Sequence, residues 1–334
     1  MLCPDFTDEK GCFIMITKAI EKIYRKMVYT RADDNGCVVY FTAEDFEGLR
    51  CEEYSFPSSL GHTLAGAFYY YEGYDESRLI IFEHGMGSGH TGYMTEIERL
   101  CREGYRVFAY DHTGCMKSGG NGTNGFAQSL RDLDDAVKAL KADEKYASLA
   151  LSVIGHSWGG FSTLNISALH PDIERCVAMS GFIAVGQILK GFFRGPLSPF
   201  CKKILALEKE ANPDYVKYSA VDTLKSTETK VLVIHSDDDK TVSAKLSFDL
   251  LEKELSGKEN IRFLRLTGKN HNPNYTEDAV RYKDKFFAEY QKALRKKTLM
   301  TEEDKKAFKA KYDWKRMTAQ DEKVWKEILD FLKA

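Results

Sequence analysis

Short apolar runs alternate with amphipathic segments along most of this 334-residue chain. The apolar runs predict strands at residues 50–56, 63–72, 79–82, 107–110, 149–154, 175–179, 230–234 and 261–266. The amphipathic segments predict helices at residues 92–103, 126–141, 161–170, 244–255 and 277–294. Continuous apolar strands that alternate with helices are typical of a parallel sheet with both faces covered. The sequence therefore predicts an α/β protein with a mostly parallel, eight-stranded sheet and helices on both faces.

Two terminal segments lie outside this alternation. Residues 1–49 predict a helix at 12–29, a turn at 33–36 and a short strand at 37–42. We expect them to form an extension packed on a core of residues 50–299. Residues 300–334 predict a C-terminal helical extension, in which Thr301 to Asp304 is typical of a helix start. A pair of helices packed on the core is the favoured arrangement, and a partner-binding or dimerising helix is the alternative.

An insertion of about residues 182–229 separates the strands at 175–179 and 230–234. It is either a surface excursion with its own helices or a lid that adds apolar side chains to a pocket above the sheet. Because the insertion follows the carboxyl end of a strand, where parallel sheets place their chemistry, we favour the lid. Its candidate substrate contacts are the apolar side chains Phe192, Phe193, Leu197 and Phe200.

Composition and charge narrow the function classes. A formal net charge of -2 gives no reason to expect binding to nucleic acid or to an anionic membrane. No stretch approaches the ~18 apolar residues of a membrane span, and the acidic N-terminal segment lacks a secretory signal pattern. The 8 cysteines are scattered, without a C-x-x-C pair or a histidine at ligand spacing, so no metal is expected. They are typical of reduced thiols in a cytoplasmic protein, and the oligomeric state stays open.

The run at 149–154 leads into Gly155-His156-Ser157-Trp158-Gly159, and a predicted helix follows. A serine between two glycines, on a sharp turn from strand to helix, is held in a strained conformation with its hydroxyl exposed. The start of the helix also supplies free amide donors beside that hydroxyl. This context predicts that Ser157 is a catalytic nucleophile rather than part of an ordinary Gly-rich turn.

A serine nucleophile needs a base and an orienting carboxylate. Asp237, Asp238 and Asp239 follow the strand at 230–234, and His271 follows the strand at 261–266. An acid and then a histidine, each after a late strand, match the Ser…Asp…His order of one hydrolase fold. On these residues alone, the choice among the three aspartates stays open.

From about residue 50 to 294 the chain resembles an α/β-hydrolase, similar to the branch that contains monoacylglycerol lipases, lysophospholipases and serine aminopeptidases. The resemblance implies oxyanion-hole amides at Met86, in His84-Gly85-Met86-Gly87, and at Trp158. The family spacing from His235 to Val242 selects Asp239, with Asp237 and Asp238 as fallbacks. The segment 111–118 resembles a family loop but departs from it, with Thr113 where arginine is usual and Met116 where glycine is usual. The resemblance implies no cofactor.

The resulting hypothesis is a serine hydrolase that cleaves an acyl or aryl ester through an acyl-enzyme intermediate. Monoacylglycerols and lysophospholipids are among the candidate substrates. One alternative is a serine aminopeptidase or amidase with the same triad, which needs a lid carboxylate such as Glu208 or Glu210 to hold the substrate amine. A second alternative is a non-catalytic ligand-binding protein on the hydrolase fold. Small-molecule substrates are expected in the first two cases, without nucleic-acid or integral-membrane partners.

Overall fold

The computed structural model describes residues 9–33 and 41–334. Within these ranges, eight strands form one sheet in the order β1-β2-β4-β3-β5-β6-β7-β8. The strands are β1 Arg50–Pro57, β2 Thr63–Tyr70, β3 Arg78–Glu83, β4 Val107–Tyr110, β5 Ala150–His156, β6 Arg175–Met179, β7 Lys230–Ser236 and β8 Ile261–Leu266. β2 pairs antiparallel with β1 and β4, and the other neighbours are parallel. The predicted eight-stranded, mostly parallel sheet is confirmed.

Twelve α-helices occur in the described part of the chain. They are α1 Glu9–Val28, α2 Met94–Arg102, α3 Gln128–Ala142, α4 Trp158–Asn165, α5 Val185–Phe192, α6 Ser198–Ala211, α7 Ala220–Ser226, α8 Phe248–Leu255, α9 Glu277–Arg295, α10 Glu302–Lys309, α11 Trp314–Met317 and α12 Glu322–Lys333. The helix expected at 12–29 is α1. The turn expected at 33–36 and the strand expected at 37–42 lie mostly on residues 34–40, outside the described residues. None of the helices in the described ranges is long and apolar enough to cross a bilayer.

Two hydrophobic clusters lie on opposite faces of the sheet. Along β3, Leu79 and Ile81 belong to one cluster, whereas Ile80 and Phe82 belong to the other. Successive side chains of a strand point to opposite faces, so a strand covered on both sides is apolar throughout. Helices α3, α4, α8 and the inserted α5 to α7 contribute to the first cluster, and α2 and α12 contribute to the second.

The C-terminal segment contains three helices within the described residues, rather than the expected pair. Helix α10 begins with the predicted start signal, since Thr301 Oγ1 accepts a hydrogen bond from the Asp304 amide. The additional short helix α11 adds Met317 to a small cluster that also holds Phe286 of α9 and Phe308 of α10. Residues 314–317 carry too little apolar periodicity to predict a separate helix, and packing against α9 stabilises it.

Helix α12 covers the sheet with a fully buried apolar face. Val324, Trp325, Ile328 and Leu332 are at most 3% exposed, and they pack with strand residues in the same cluster as α2. The Trp325 indole N–H also donates to Gln320 Oε1 at 2.6 Å, which satisfies its one polar group. The C-terminal segment is therefore part of the core of this structure.

This packing predicts that Trp325→Ala destabilises the protein. Removal of a fully buried tryptophan leaves a cavity and is expected to lower the free energy of unfolding by about 3–5 kcal/mol. Urea denaturation followed by circular dichroism measures the change. Lys323→Ala, on the exposed side of the same helix, is the control and should stay within about 0.5 kcal/mol of the parent. A Trp325→Ala loss below about 1 kcal/mol would contradict the assignment of α12 to the core.

Candidate active site

Ser157 lies on a strained turn between β5 and α4. Its φ is 58° and its ψ is -109°, a left-handed conformation that costs free energy for a residue with a side chain. The flanking glycines are required by close backbone packing. A Cβ on Gly155 would lie 2.2 Å from the Gly159 carbonyl oxygen, and one on Gly159 would lie 2.3 Å from the Glu83 carbonyl oxygen. The turn therefore presents the hydroxyl at the carboxyl edge of the sheet.

The structure brings Ser157, Asp239 and His271 together. His271 Nε2 lies 2.8 Å from Ser157 Oγ, and His271 Nδ1 lies 2.8 Å from Asp239 Oδ2. Asp239 follows β7 and His271 follows β8, so neighbouring parallel strands deliver both side chains to the same edge. With Nδ1–H donating to the carboxylate, the Nε2 lone pair can accept the serine proton.

The Asp239 carboxylate is held ionised. Burial alone would raise its pKa, but hydrogen bonds from His235 and His271 outweigh burial and hold the pKa well below its usual value. Its Oδ1 also accepts the amides of Thr241 at 2.8 Å and Val242 at 2.9 Å. These amides fix the carboxylate that orients His271.

The two fallback aspartates point elsewhere. Asp237 and Asp238 are exposed, whereas Asp239 is 8% exposed. Asp237 accepts a hydrogen bond from Thr267 Oγ1 at 2.5 Å. Asp238 accepts from the Ser236 hydroxyl and from the Asn270 amide. Both carboxylates bond to the loop after β8, and the contact with His271 belongs to Asp239.

The expected oxyanion donors lie on the two segments that flank Ser157. Trp158 is the first residue of α4, so its amide has no partner within the helix. Met86 lies in the loop after β3 and lines the cavity that contains Ser157. Its neighbour Gly85 lies so close that a Cβ there would be 3.4 Å from Ser157 Cβ. This arrangement can direct two backbone N–H groups at a carbonyl oxygen bound beside Ser157.

Tyr93 and His156 connect the loop after β3 to the loop after β8. The Gly85 amide donates to the Tyr93 hydroxyl at 3.0 Å, and that hydroxyl lies 2.8 Å from His156 Nδ1. His156 Nε2 lies 2.6 Å from the His271 carbonyl oxygen, so Nε2–H is the donor and Nδ1 accepts from Tyr93. Burial lowers the pKa of His156 to about 3, which keeps the ring neutral. The sequence carried no signal for Tyr93.

A second neutral histidine, His84, stabilises the loop after β3. His84 Nδ1–H donates to the Gly85 carbonyl at 2.8 Å, and Nε2 accepts the His112 amide at 2.9 Å. Burial lowers the pKa of His84 to about 3. Like His156, His84 bonds to backbone groups of the neighbouring loops, and neither of these two hydrogen bonds involves Ser157.

The two departures from the family loop have local structural roles. Thr113 donates its hydroxyl to Asp132 Oδ1 and its amide to Asp132 Oδ2, both at 2.7 Å. Met116 has a φ of 41°, the backbone conformation that glycine adopts without strain. The loop thus keeps a glycine-like conformation at Met116, at the position where glycine is usual.

A cavity of about 520 Å³ contains Ser157 and His271, and α9 forms one of its walls. The α9 residues that line it are Lys283, Asp284, Phe287, Tyr290, Gln291 and Leu294. The expectation that the inserted segment supplies the apolar wall needs correction, since none of its four candidate residues lines this cavity. The wall is α9 because the small cluster with α10 and α11 holds that helix over the catalytic loops.

The four candidate contacts of the inserted segment lie in other places. Phe192 lines a neighbouring cavity of about 320 Å³ together with Asp239, and Phe193 packs against the Tyr24 ring. Leu197 is 45% exposed. Phe200 faces α1, in a groove that also includes Ile14. Of the four, Phe192 is the one placed beside a triad residue.

Neither proposed amine-binding carboxylate lies in the Ser157 cavity. Glu208 is fully buried and accepts hydrogen bonds from the Tyr24 hydroxyl at 2.6 Å and the Phe126 amide at 2.8 Å. Burial raises its pKa. Glu210 lines a separate cavity beside Arg25. Glu208 therefore anchors α6 to α1. Among the described residues, no group of three or more His, Cys, Asp or Glu side chains is placed to hold a metal ion.

Comparisons with known proteins agree with this architecture. Residues 75–218 match the family model described as serine aminopeptidase, S33. The putative carbamate hydrolase RutD of Serratia proteamaculans is 29% identical over 108 residues, which cover 31% of this chain and 37% of that protein. The AB hydrolase superfamily protein YfhM of Bacillus subtilis is 28% identical over 137 residues, which cover 40% of this chain and 44% of that protein. The matches thus span less than half the length of these curated relatives.

Solved structures share the fold at low identity. The Pyrococcus furiosus esterase Pf2001 superposes with a TM-score of 0.56 and 22% identity, over 80% of this chain and 96% of that one. The 2,6-dihydroxy-pseudo-oxynicotine hydrolase superposes with a TM-score of 0.51 and 18% identity, over 69% of this chain and 64% of that one. Together with the sheet order and the Ser157 turn, these likenesses show that the chain has the α/β-hydrolase fold.

Proposed function

We propose that this protein is a serine hydrolase that cleaves carboxylic esters through an acyl-enzyme intermediate. The observation that carries the proposal is the continuous hydrogen-bonded chain from Ser157 Oγ through His271 to Asp239. A strained serine that lines a cavity, a base at 2.8 Å and an ionised carboxylate are the parts that acyl transfer needs.

In the acylation step, Ser157 Oγ attacks the ester carbonyl carbon and His271 Nε2 takes the hydroxyl proton. The carbonyl electron pair moves to oxygen, where the amides of Met86 and Trp158 stabilise the negative charge, typically by ~3 kcal/mol each. The intermediate then reforms the carbonyl and expels the alkoxide, which takes the proton from His271. Asp239 stabilises the imidazolium that exists between these two transfers.

Deacylation repeats the sequence with water. His271 removes a proton from the attacking water, and the second tetrahedral intermediate expels Ser157 Oγ, which recovers that proton. The products are one alcohol and one carboxylic acid for each ester and water consumed. Every proton is carried by His271, so the chemistry uses this chain's own residues.

The cavity supports a small or medium ester. Its volume of about 520 Å³ falls in the range of small-molecule sites, and Phe287, Tyr290 and Leu294 supply apolar and aromatic surface beside the nucleophile. Monoacylglycerols and lysophospholipids remain candidates for the physiological substrate and belong in an acyl-chain screen.

Ser157→Ala should abolish ester hydrolysis. Removal of the nucleophile leaves only binding and oxyanion stabilisation, so we expect kcat to fall by about 10⁴-fold or more. Turnover of a series of aryl esters, from acetate to octanoate, measures the loss, and circular dichroism checks that the fold is intact. Turnover within tenfold of the parent would overturn the proposed nucleophile.

A matched pair of aspartate variants tests the acid. Asp239→Asn removes the charge that holds the His271 tautomer, so we expect kcat to fall by about 10³- to 10⁴-fold at neutral pH. Asp237→Asn, in the same loop but bonded to Thr267, should retain activity within about threefold. Steady-state kinetics on one aryl ester compares them, and a larger loss in Asp237→Asn would assign the acid differently.

Tyr93→Phe tests the positioning role of the hydroxyl between the two loops. We expect kcat to fall by about tenfold with KM little changed, because the two hydrogen bonds that link the Gly85 amide to His156 are lost. Tyr74→Phe, whose hydroxyl contacts Arg106 instead, is the control. Equal kcat values for the two variants would assign Tyr93 a packing role alone.

The serine aminopeptidase alternative derives support from the family model over residues 75–218. Aminoacyl amides with a free or an acetylated amine, compared with the matching esters, separate the two activities. Preference for the free amine would favour the aminopeptidase. A non-catalytic binding protein would instead fail to react with a fluorophosphonate probe at Ser157.

A further inference from the structure

A lysine of α9 reaches into the cavity that contains Ser157. Lys283 is half-buried, and it lines this cavity together with His271 and Asn272. Its Nζ donates to Asn272 Oδ1 at 3.0 Å and lies 4.6 Å from the centroid of the Tyr275 ring. Because Asn272 directly follows His271, this contact places the ammonium on the histidine side of the cavity.

Two carboxylates lie near the Lys283 ammonium, but neither is bonded to it. The buried carboxylate of Glu96 and the exposed carboxylate of Asp284 act on it electrostatically, but in the described ranges neither forms an ion pair with it. Glu96 is bonded to Thr95 and Asn274, and Asp284 accepts from Asn270 Nδ2 at 3.1 Å. An ammonium carries three donors, and one of them bonds Asn272.

Burial makes this unpaired charge costly. Burial lowers the pKa of Lys283 to about 8, so the side chain is still mostly protonated at neutral pH. The neutral ring of His156 adds no second positive charge beside the ammonium. A half-buried cation with donors to spare and no bonded anion is stabilised when a bound ligand supplies that anion.

We propose that Lys283 binds a carboxylate carried by the substrate, so that the preferred ester has an anionic group as well as the scissile bond. This inference rests on the proposed esterase function and names its substrate class. Apolar Phe287 and Leu294 line the same cavity and suit the hydrocarbon between the two groups. The cavity would accordingly select half-esters of dicarboxylic acids, or esters of carboxylate-bearing alcohols, over neutral esters of the same length.

The competing explanation is structural, with Lys283 offsetting the buried charge of Glu96. Under that explanation, Lys283 variants would affect neutral and anionic substrates equally. A charge-specific contact would instead change the ratio between matched substrates, which is the quantity to measure.

The first experiment measures binding without turnover. Isothermal titration of Ser157→Ala with monoethyl glutarate and with ethyl butyrate compares an anionic ester with its neutral counterpart. The pair 4-carboxybenzyl butyrate and benzyl butyrate places the anion on the alcohol side. We expect the anionic member of at least one pair to bind about tenfold tighter, which corresponds to about 1.4 kcal/mol. Equal affinities in both pairs would overturn the proposal.

The second experiment assigns the preference to Lys283. In the Ser157→Ala background, Lys283→Gln should bring the ratio of affinities to near one, whereas Lys283→Arg should retain a clear preference. Lys285→Gln, an exposed lysine of the same helix that does not line the cavity, should leave the ratio unchanged. A preference that survives Lys283→Gln would overturn the assignment.

Kinetics on the unmodified serine separates this inference from the proposed function. If the parent protein hydrolyses neither member of either pair while Ser157→Ala still prefers the anion, the esterase proposal fails and the anion site stands. If the parent hydrolyses both members with equal kcat/KM and binding shows no preference, the esterase stands and the anion site fails.

Discussion

Backbone packing around the Ser157 turn is the constraint on which the site depends. A Cβ at Gly155 or Gly159 would overlap neighbouring backbone, and the Ser157 amide donates to the Met179 carbonyl at 2.8 Å. The turn is thereby pressed against β3 and tied to β6, which holds Ser157 at a φ of 58°. Because the sheet is rigid, the hydroxyl has a fixed position, and the loops after β7 and β8 need only bring Asp239 and His271 to it.

Buried polar groups then align the loops around that fixed hydroxyl. The hydrogen bonds from Gly85 through Tyr93 and His156 to the His271 carbonyl connect the proposed oxyanion donor and the proposed base. The His156 ring is neutral, so it orients backbone groups without adding a charge beside Ser157. A low-dielectric surrounding strengthens such hydrogen bonds, and it would also strengthen the proposed contact between the half-buried ammonium of Lys283 and a substrate carboxylate.

The terminal and inserted segments have different structural roles from the expected ones. Helix α12 covers the sheet beside α2, while α10 and α11 hold α9 over the catalytic loops. The inserted helices pack on the opposite face, and the buried Glu208 ties α6 to Tyr24 of α1. The cavity wall beside Ser157 therefore comes from a helix after the last strand, and the composition of α9 supplies both its apolar surface and its one ammonium.

The sequence by itself determined the sheet, the Ser157 turn and the order of the candidate acid and base, because these depend on local patterns. Buried strands are apolar throughout, tight turns need glycine, and loops after parallel strands meet at one edge. The family spacing already favoured Asp239 over Asp237, and the tertiary structure places its carboxylate against His271. Only the tertiary structure joined Tyr93 to His156 and brought Lys283 into the cavity. These contacts join residues far apart in the chain. Packing against α10 and α11 decides which face of α9 points at Ser157, and such packing leaves no local pattern in the sequence.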